Sequence, residues 1–378
     1  MKIKRIALMV LVLALLVSGL AGCGNAASSK TIKIGGLAPL TGDIAVYGVA
    51  ASNGAKHAID EVNKAGGVLG KQIEFIVYDE KGDVNEAVNA YNKLVDSDKV
   101  VAILGDVTSK PTISVAQLAA KAGIPMVTPT ATALDVTKQG SNVFRACYID
   151  PFQGEIMAQF AAETLKAKKV AIIYNSGDDY SSGLKASFEA KAASLGLEVV
   201  GAESYSKGDT DFKAQLTKIA ASGAEALFVP DYYNTVALIA NQAKATGLPM
   251  PLLGVDGWDG VLTAAKPEDV EGYYFANHYS DKDTDPVVQN FLKNYEAAYK
   301  DTPNALAALG YDAANILIAA IKAAGTTDSA KVVTALAATD YTGVTGNVKF
   351  GDDRNPKKSV TIIQIVGGEY QFAGKVNP

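Results

Sequence analysis

The sequence predicts an α/β protein of two lobes, each built on a doubly wound parallel sheet. Short β-branched and aliphatic runs alternate with segments of helical periodicity, which is typical of repeated β-α-β units. The same alternation starts again after Cys147. About 350 residues follow the N-terminal leader, which is too many for one ordinary hydrophobic core and enough for two.

The first lobe is expected to start at residue 31. Turn residues separate its elements, with Pro39-Leu40-Thr41-Gly42 after the first strand and Gly66-Gly67 before the second. Strands are expected at residues 31–40, 73–79, 100–104 and 126–127, and helices at residues 46–65, 83–97 and 110–122. Hydroxyl-bearing residues follow the last two strands, and parallel pairing places such strand ends side by side.

The second lobe is expected to repeat this pattern without a residue-level repeat. Strands are expected at residues 170–174, 197–204, 226–230, 251–254 and 272–276, and helices at residues 150–165, 180–195 and 212–221 and from 231 to 246. Three further helices, at residues 287–300, 305–324 and 329–338, precede short strands at residues 348–350, 360–366 and 370–372. This C-terminal order does not suit a third lobe of the same kind, so it is expected to complete the first two.

The N-terminus has the features of a secretion signal. Lys2, Lys4 and Arg5 precede an apolar run at residues 6–17, which is too short to span a bilayer. Leu20-Ala21-Gly22-Cys23 follows where cleavage would occur and resembles a bacterial lipobox. Cys23 is therefore expected to carry a lipid and become the mature N-terminus, followed by a short polar tether. The alternative is an ordinary signal peptide with an incidental cysteine.

Without its leader the chain is acidic. Removing the three basic residues of the signal leaves 32 of 35 Lys and Arg against 40 Asp and Glu, a net charge of −8. Nucleic acid is therefore not an expected partner. If Cys23 is lipidated, Cys147 has no cysteine to pair with, and its apolar surroundings predict a small buried residue.

The sequence lacks the common signatures of enzymes and metal sites. It contains no G-x-G-x-x-G, P-loop or G-x-S-x-G motif. The two histidines, His57 and His278, are far apart and belong to no ligand pattern, so neither catalysis nor zinc binding is expected. The acidic runs at residues 79–83 and 281–285 lack calcium-loop spacing. No cofactor and no metal are expected.

Polar residues at predicted strand ends suggest a site for a zwitterion. Ser109, Thr130 and Thr132 follow strands of the first lobe, where helix N-termini would also present N–H groups to a carboxylate. An ammonium requires a buried anion, and Asp256 is the acid best placed to supply it. Each hydroxyl taken alone could equally be an ordinary cap or turn residue.

Aromatic residues near the same strand ends would form the walls of this site. Tyr47, Tyr180 and Tyr232 could enclose an apolar ligand side chain between the lobes. Each tyrosine taken alone could instead pack in a core or on the surface. Trp258, the only tryptophan, is expected at the rim of the cleft, where it would report closure of the lobes.

Several segments resemble a known family in their order and spacing. They are residues 34–42, 63–71 and 123–132, Phe144-Arg145 with residues 150–154, and Asp179-Tyr180. Together they resemble the solute-binding proteins of the leucine-isoleucine-valine family, which have the type I periplasmic-binding fold and serve ABC importers. The resemblance covers the chain from Ile32 to the last strands.

The resemblance implies two lobes joined by a three-crossover hinge. The expected division is a signal peptide at residues 1–22, a tether at 23–30, an N-terminal lobe of residues 31–148 and 278–355, and a C-terminal lobe of residues 149–277 and 356–378.

The resemblance also implies roles for individual residues. Ser109 and Thr132 match the hydroxyls that bind the ligand carboxylate, with backbone groups of Thr130 beside them. Tyr47, Tyr180 and Tyr232 match the aromatic walls, Asp256 matches the ammonium-binding acid, Thr108 adds a neighbouring hydroxyl, and Leu306 is a weaker candidate for the apolar wall. The family commonly has glutamate at the position of Asp256, so the shorter acid changes the reach into the cleft.

The function that follows is a lipid-anchored, monomeric receptor on the extracytoplasmic face of a bacterial membrane. It is expected to capture a neutral, branched-chain or other aliphatic L-amino acid and deliver it to ABC permease subunits. A receptor for an amide, a urea or a short peptide is an alternative, although Asp256 favours an amine. A sensory receptor has the same fold. An enzyme would require a nucleophile-base pair or a cofactor loop, which the sequence does not show.

Overall fold

A computed structural model of the chain describes residues 31–377. The leader, the tether and Cys23, all expected before residue 31, lie outside this range. The first strands are Thr31–Ala38 (β1), Gln72–Asp79 (β2), Ala102–Leu104 (β3), Met126–Thr128 (β4) and Val143–Arg145 (β5). They form a parallel sheet in the order β2-β1-β3-β4-β5. Strand order reverses between β1 and β3, and the carboxyl ends at such a reversal usually border the ligand crevice.

The second sheet contains seven of the remaining strands. The strands that follow β5 are Lys169–Asn175 (β6), Glu198–Tyr205 (β7), Ala226–Phe228 (β8), Leu252–Gly254 (β9), Tyr274–Asn277 (β10), Asp340–Gly343 (β11), Gly346–Lys349 (β12), Val360–Val366 (β13) and Glu369–Val376 (β14). The sheet order is β14-β13-β10-β9-β8-β6-β7, while β11 and β12 form a separate hairpin. Strand order reverses between β6 and β8, which gives this sheet a crevice of its own.

Helices connect and cover the strands. They are Ala45–Lys64 (α1), Val84–Asn92 (α2), Ser109–Ala122 (α3), Asp135–Lys138 (α4), Asp150–Gln159 (α5), Asp179–Leu195 (α6), Lys213–Ala221 (α7), Tyr233–Ala245 (α8), Pro267–Val270 (α9), Pro286–Tyr299 (α10), Ala305–Ala324 (α11) and Ser329–Ala337 (α12). The principal buried clusters lie around the two sheets. Each sheet therefore has its own core.

The α1 and α11 helices cross at close range because glycines face each other. A Cβ atom on Gly54 would overlap the carbonyl oxygen of Ala307, and one on Gly310 would overlap that of Ala51. Among the described residues, α11 is the one helix long and apolar enough to cross a bilayer, but 78% of its apolar window is buried within the protein. Such burial is typical of a core helix.

The chain passes between the two sheets three times. The passages follow β5, β10 and the β11–β12 hairpin. After the second passage, α10 packs beside α1, where the Tyr299 hydroxyl donates to the Asn53 carbonyl at 3.0 Å. After the third, β13 and β14 complete the second sheet. The C-terminal helices and strands thus extend existing layers.

The two-lobe α/β fold class predicted from the sequence is confirmed, with three differences in detail. The strands β13 and β14 run antiparallel to their neighbours. The helices expected at residues 83–97 and 150–165 finish in wider π-helical turns, Lys93–Asp98 and Phe160–Thr164. The β5 and β11 strands were not expected. Cys147 is free and buried, as predicted, whereas the residue boundaries of the lobes stay a prediction.

Candidate ligand-binding site

Strand ends of both sheets meet at one small cavity. It is lined by Tyr47, Val107, Ser109, Thr130, Thr132, Tyr180, Tyr232, Asp256, Gly257 and Leu306. The structure thus brings together seven predicted ligand residues and Leu306. Only about 10 Å³ is open to the centre of a water-sized sphere, about the space that one water molecule needs. A larger molecule can enter only if elements of the two sheets move apart.

A larger cavity lies beside this one and does not contain the predicted residues. It offers about 340 Å³ to the centre of a water-sized sphere and is lined in part by Asp259, Tyr279 and Glu369. Because the strand-end hydroxyls and Asp256 do not line it, its greater volume does not make it the better candidate for a zwitterion.

The chain after β3 places Ser109 at the cavity. Gly105 has φ +133°, and a Cβ atom there would press on the backbone of Leu37. The turn ends at Thr108, whose extended backbone begins α3. Thr108 does not line the cavity: it is buried, and its carbonyl accepts hydrogen bonds from the amide and hydroxyl of Thr112. Its role in binding therefore stays a prediction.

The hydroxyls of Ser109 and Thr130 differ in whether their protons are already used in a hydrogen bond within the protein. Ser109 Oγ accepts from the Ala133 amide at 3.2 Å, so its own proton can be donated elsewhere. Thr130 Oγ1 donates to the Val107 carbonyl at 2.6 Å, which commits its proton to the protein. Ser109 is consequently better prepared than Thr130 to donate a side-chain hydrogen bond to a carboxylate.

Thr132 is linked to the start of α5 through Asp150. The Asp150 amide donates to the Thr132 carbonyl at 3.0 Å. Burial, and then the charge of Asp256, raises the pKa of Asp150 to about 8. A neutral Asp150 at pH 7 leaves Asp256 as the acid that can meet a positive charge here.

The tyrosines form a continuous aromatic wall. The rings of Tyr180 and Tyr232 stack with centroids 4.8 Å apart, and Tyr47 meets Tyr232 edge-on at 5.7 Å. An Asp178 cap on the amides of Tyr180 and Ser181 begins α6 and so positions Tyr180. Burial raises the pKa of all three tyrosines well above the usual value, so they remain neutral hydroxyls.

Asp256 lies where the two lobes and the second crossover meet. Its Oδ1 accepts from the Tyr180 hydroxyl at 2.6 Å and from Gln153 Nε2 at 3.0 Å. Its Oδ2 lies 3.0 Å from His278 Nε2. From the other lobe, the Tyr47 hydroxyl donates to the Asp256 carbonyl at 3.3 Å. This buried carboxylate has no lysine or arginine partner among the described residues.

Hydrogen bonds also join the two sides at the rim of the cleft. Lys110 Nζ donates to the Gly177 carbonyl at 2.8 Å, and Lys207 Nζ donates to the Gly82 carbonyl at 3.2 Å. The Tyr233 hydroxyl donates to the Asp43 carbonyl at 2.9 Å. All three bonds are made to backbone oxygens. The two lysines are exposed, so water can replace their bonds when the sides separate.

Sequence reasoning did not include Gln153 and His278 in the site. Gln153 belongs to residues 150–154, one of the segments behind the family resemblance, and this was a usable signal. His278 had no comparable signal because its contact with Asp256 spans 22 residues and depends on how β10 lies beside β9.

The expectation for Trp258 was wrong. Its side chain is fully buried in the second core, where Nε1 donates to the Val229 carbonyl at 2.9 Å and the ring stacks on Phe275. An indole is the largest apolar group in the chain, and packing under the 3₁₀ turn Asp256–Trp258 buries it away from the rim.

The fold and the cavity between its sheets define a substrate-binding protein of the type I periplasmic-binding fold. The family model described as "Periplasmic binding protein" matches residues 31–369, and the chain belongs to this family. The family resemblance and fold predicted from the sequence are therefore confirmed. Proteins of this family are substrate-binding receptors.

Similar proteins carry names that refer to amino acids. A leucine-, isoleucine-, valine-, threonine- and alanine-binding protein of Pseudomonas aeruginosa is 32% identical over 90% of this chain and 92% of its own. The crystal structure of a leucine-binding protein from Thermotoga maritima has a TM-score of 0.88 and 35% identity, covering 92% of this chain and 99% of its own. A branched-chain amino acid transporter substrate-binding protein from Streptococcus pneumoniae, in complex with isoleucine, has a TM-score of 0.87 and 36% identity, covering 92% of this chain and all of its own.

Proposed function

We propose that this protein is the extracytoplasmic receptor of an ABC importer for branched-chain or other neutral aliphatic L-amino acids. The observation that carries the proposal is the convergence of Ser109, Thr132 and Asp256 on one cavity between the lobes. The names of the similar proteins support the same ligand class.

The parts of the site match the parts of such a ligand. Ser109 and the N-terminus of α3 offer donors to the carboxylate. Asp256 offers an anion to the ammonium. Tyr47, Tyr232 and Leu306 offer an apolar surface to the aliphatic side chain. Because both charges of a zwitterion lose water on entry, both need partners.

The protein acts as a receptor and carries out no reaction on its ligand. The lobes comprise residues 31–148 with 278–355 and residues 149–277 with 356–378, and they separate to admit the amino acid. The monomer is tethered to the outer face of the cell membrane by lipid on Cys23, and there it presents its ligand to the permease.

Thermal unfolding of residues 30–378 in the presence of each of the twenty amino acids tests the ligand class. A ligand at one hundred times its dissociation constant adds about 2.7 kcal/mol to the free energy of unfolding. We expect leucine, isoleucine or valine to raise the Tm most, and D-leucine to leave it unchanged. The proposal fails if no aliphatic L-amino acid shifts the transition.

The anchor is tested by separating membrane and soluble fractions of cells that express the full chain or Cys23→Ala. The full chain should fractionate with membranes and carry lipid by mass spectrometry, while the variant should be soluble. A membrane-bound Cys23→Ala protein without lipid would refute this anchor.

A further inference from the structure

His278 contacts Asp256 from the second crossover. It is the first residue after β10, and only 4% of its surface is exposed. Its Nε2 lies 3.0 Å from Asp256 Oδ2, and its ring stacks on Tyr148 with centroids 3.6 Å apart. The ring is therefore fixed by a residue near the first crossover while it contacts the acid of the ligand site.

The surroundings of His278 indicate which ring nitrogen carries the proton. Burial lowers the pKa of His278, and the positive charge of Lys358 lowers it further, although the hydrogen bond and charge of Asp256 act in the opposite direction. Besides these two groups, the phenol of Tyr148 faces the ring. A neutral imidazole has one N–H. Because Nε2 is the nitrogen that faces the carboxylate, the proton must be on Nε2. Nδ1 is then a bare acceptor, and within residues 31–377 it has no hydrogen-bond partner.

The donors around Asp256 leave room for one more. A carboxylate has roughly four lone-pair sites. Tyr180 and Gln153 occupy Oδ1, and His278 occupies one site on Oδ2. The remaining lone-pair site is on Oδ2. Asp256 itself lines the cavity. Because all three donors are neutral, they orient the carboxylate without cancelling its charge.

We propose that His278 is a positioning residue for the ligand's ammonium group. Its neutral Nε2–H holds Oδ2 of Asp256 so that this oxygen faces the cavity. This inference rests on the proposed function and assigns a determinant of the same site. Since His278 belongs to a crossover, the orientation of the acid is tied to the placement of the lobes.

Calorimetric titration of the full chain in detergent with L-leucine at pH 7.5 tests this role. His278→Phe retains a ring to stack on Tyr148 but has no donor, and we expect a dissociation constant about tenfold to a hundredfold higher. His278→Gln supplies a neutral N–H at a similar reach and should bind within about threefold of the parent. His57→Gln is the matched control, because His57 packs among tyrosines of the other lobe, away from the cavity.

The results separate the two proposals. If the unaltered protein binds leucine and His278→Phe binds equally well, or His278→Gln binds no better than His278→Phe, the positioning role is wrong. If the unaltered protein binds no aliphatic amino acid, the proposed function is wrong.

A second measurement needs no ligand. The chain has only two histidines, so ¹⁵N-histidine labelling yields two rings, which the His278→Gln variant assigns. We expect the His278 signals of a neutral ring protonated at Nε2 at pH 7.5. A ring protonated at Nδ1 would face the carboxylate with an acceptor and would overturn the inference.

Discussion

Asp256 combines deep burial with an environment of neutral donors. Tyr180, Gln153 and His278 each donate to its carboxylate. Such an arrangement satisfies hydrogen-bonding capacity while it preserves negative charge, which suits a group that must attract a cation out of water. Asp256 is therefore expected to supply most of the binding energy for the ammonium.

Substitution of this acid should weaken binding more than loss of an aromatic wall. Breaking a buried ion pair costs about 3 to 5 kcal/mol, or roughly two to four orders of magnitude in affinity. Removing an apolar wall of leucine size costs about 1.5 to 3 kcal/mol. We expect Asp256→Asn to bind leucine more weakly than Tyr232→Ala in calorimetric titration, after circular dichroism shows both folded. An Asp256→Asn protein within about threefold of the parent would place the ammonium elsewhere.

A pair of buried acids outside the lining of the ligand cavity affects stability. Glu80 and Asp106 follow β2 and β3, and both are fully buried. Burial, and then the charge of Asp106, raises the pKa of Glu80 from 4.5 to about 9. Between these pH values the folded state keeps a proton that the unfolded state has lost, so the free energy of unfolding falls as pH rises.

Glu80→Gln removes this ionisation because it replaces the carboxyl group by an uncharged amide of similar shape. The variant should gain Tm relative to the parent at pH 8.5 and show a smaller gain, or none, at pH 5, as measured by scanning calorimetry. An equal change at both pH values would show that ionisation of Glu80 does not limit stability.

Some helices, strands and site residues could be predicted from the sequence, and others could not. Helix α11 was expected at residues 305–324 because its long apolar run begins after Asn304 and ends before Gly325. The structure has the same bounds. The β11 strand was missed because its residues are mostly exposed and short of apolar alternation. Tyr47 and Ser109 could be placed at one site because parallel strands align their carboxyl ends. His278 could not, because its position depends on packing between lobes.

The α1–α11 crossing provides a test at the scale of elements. Alanine favours a helix over glycine by about 1 kcal/mol, but a Cβ on Gly54 would overlap the backbone of Ala307. We expect Gly54→Ala to lower the free energy of unfolding by about 1 to 3 kcal/mol in urea titrations. Gly183→Ala in α6 is the matched control, because its Cβ would lie 3.8 Å from Asp150 Oδ2, an ordinary van der Waals contact. Equal stability of the two variants would show that this crossing is not tight.

At the scale of the molecule, the two lobes provide different halves of one site. Ser109 and Thr132 come from the first sheet, whereas Tyr180, Tyr232 and Asp256 come from the second. Three crossovers connect the lobes, and rim bonds such as Lys110 to Gly177 join them again at the mouth. Because the enclosed space is about that of one water, admission of an amino acid requires the lobes to rotate apart and close again.

Small-angle X-ray scattering of the protein with and without saturating L-leucine tests whether the ligand is captured between the lobes. Capture between the lobes predicts a smaller radius of gyration with leucine, because the ligand supplies contacts to both halves only when they approach. D-leucine should leave the scattering unchanged. Calorimetrically confirmed leucine binding with no decrease in the radius of gyration would contradict capture between the lobes.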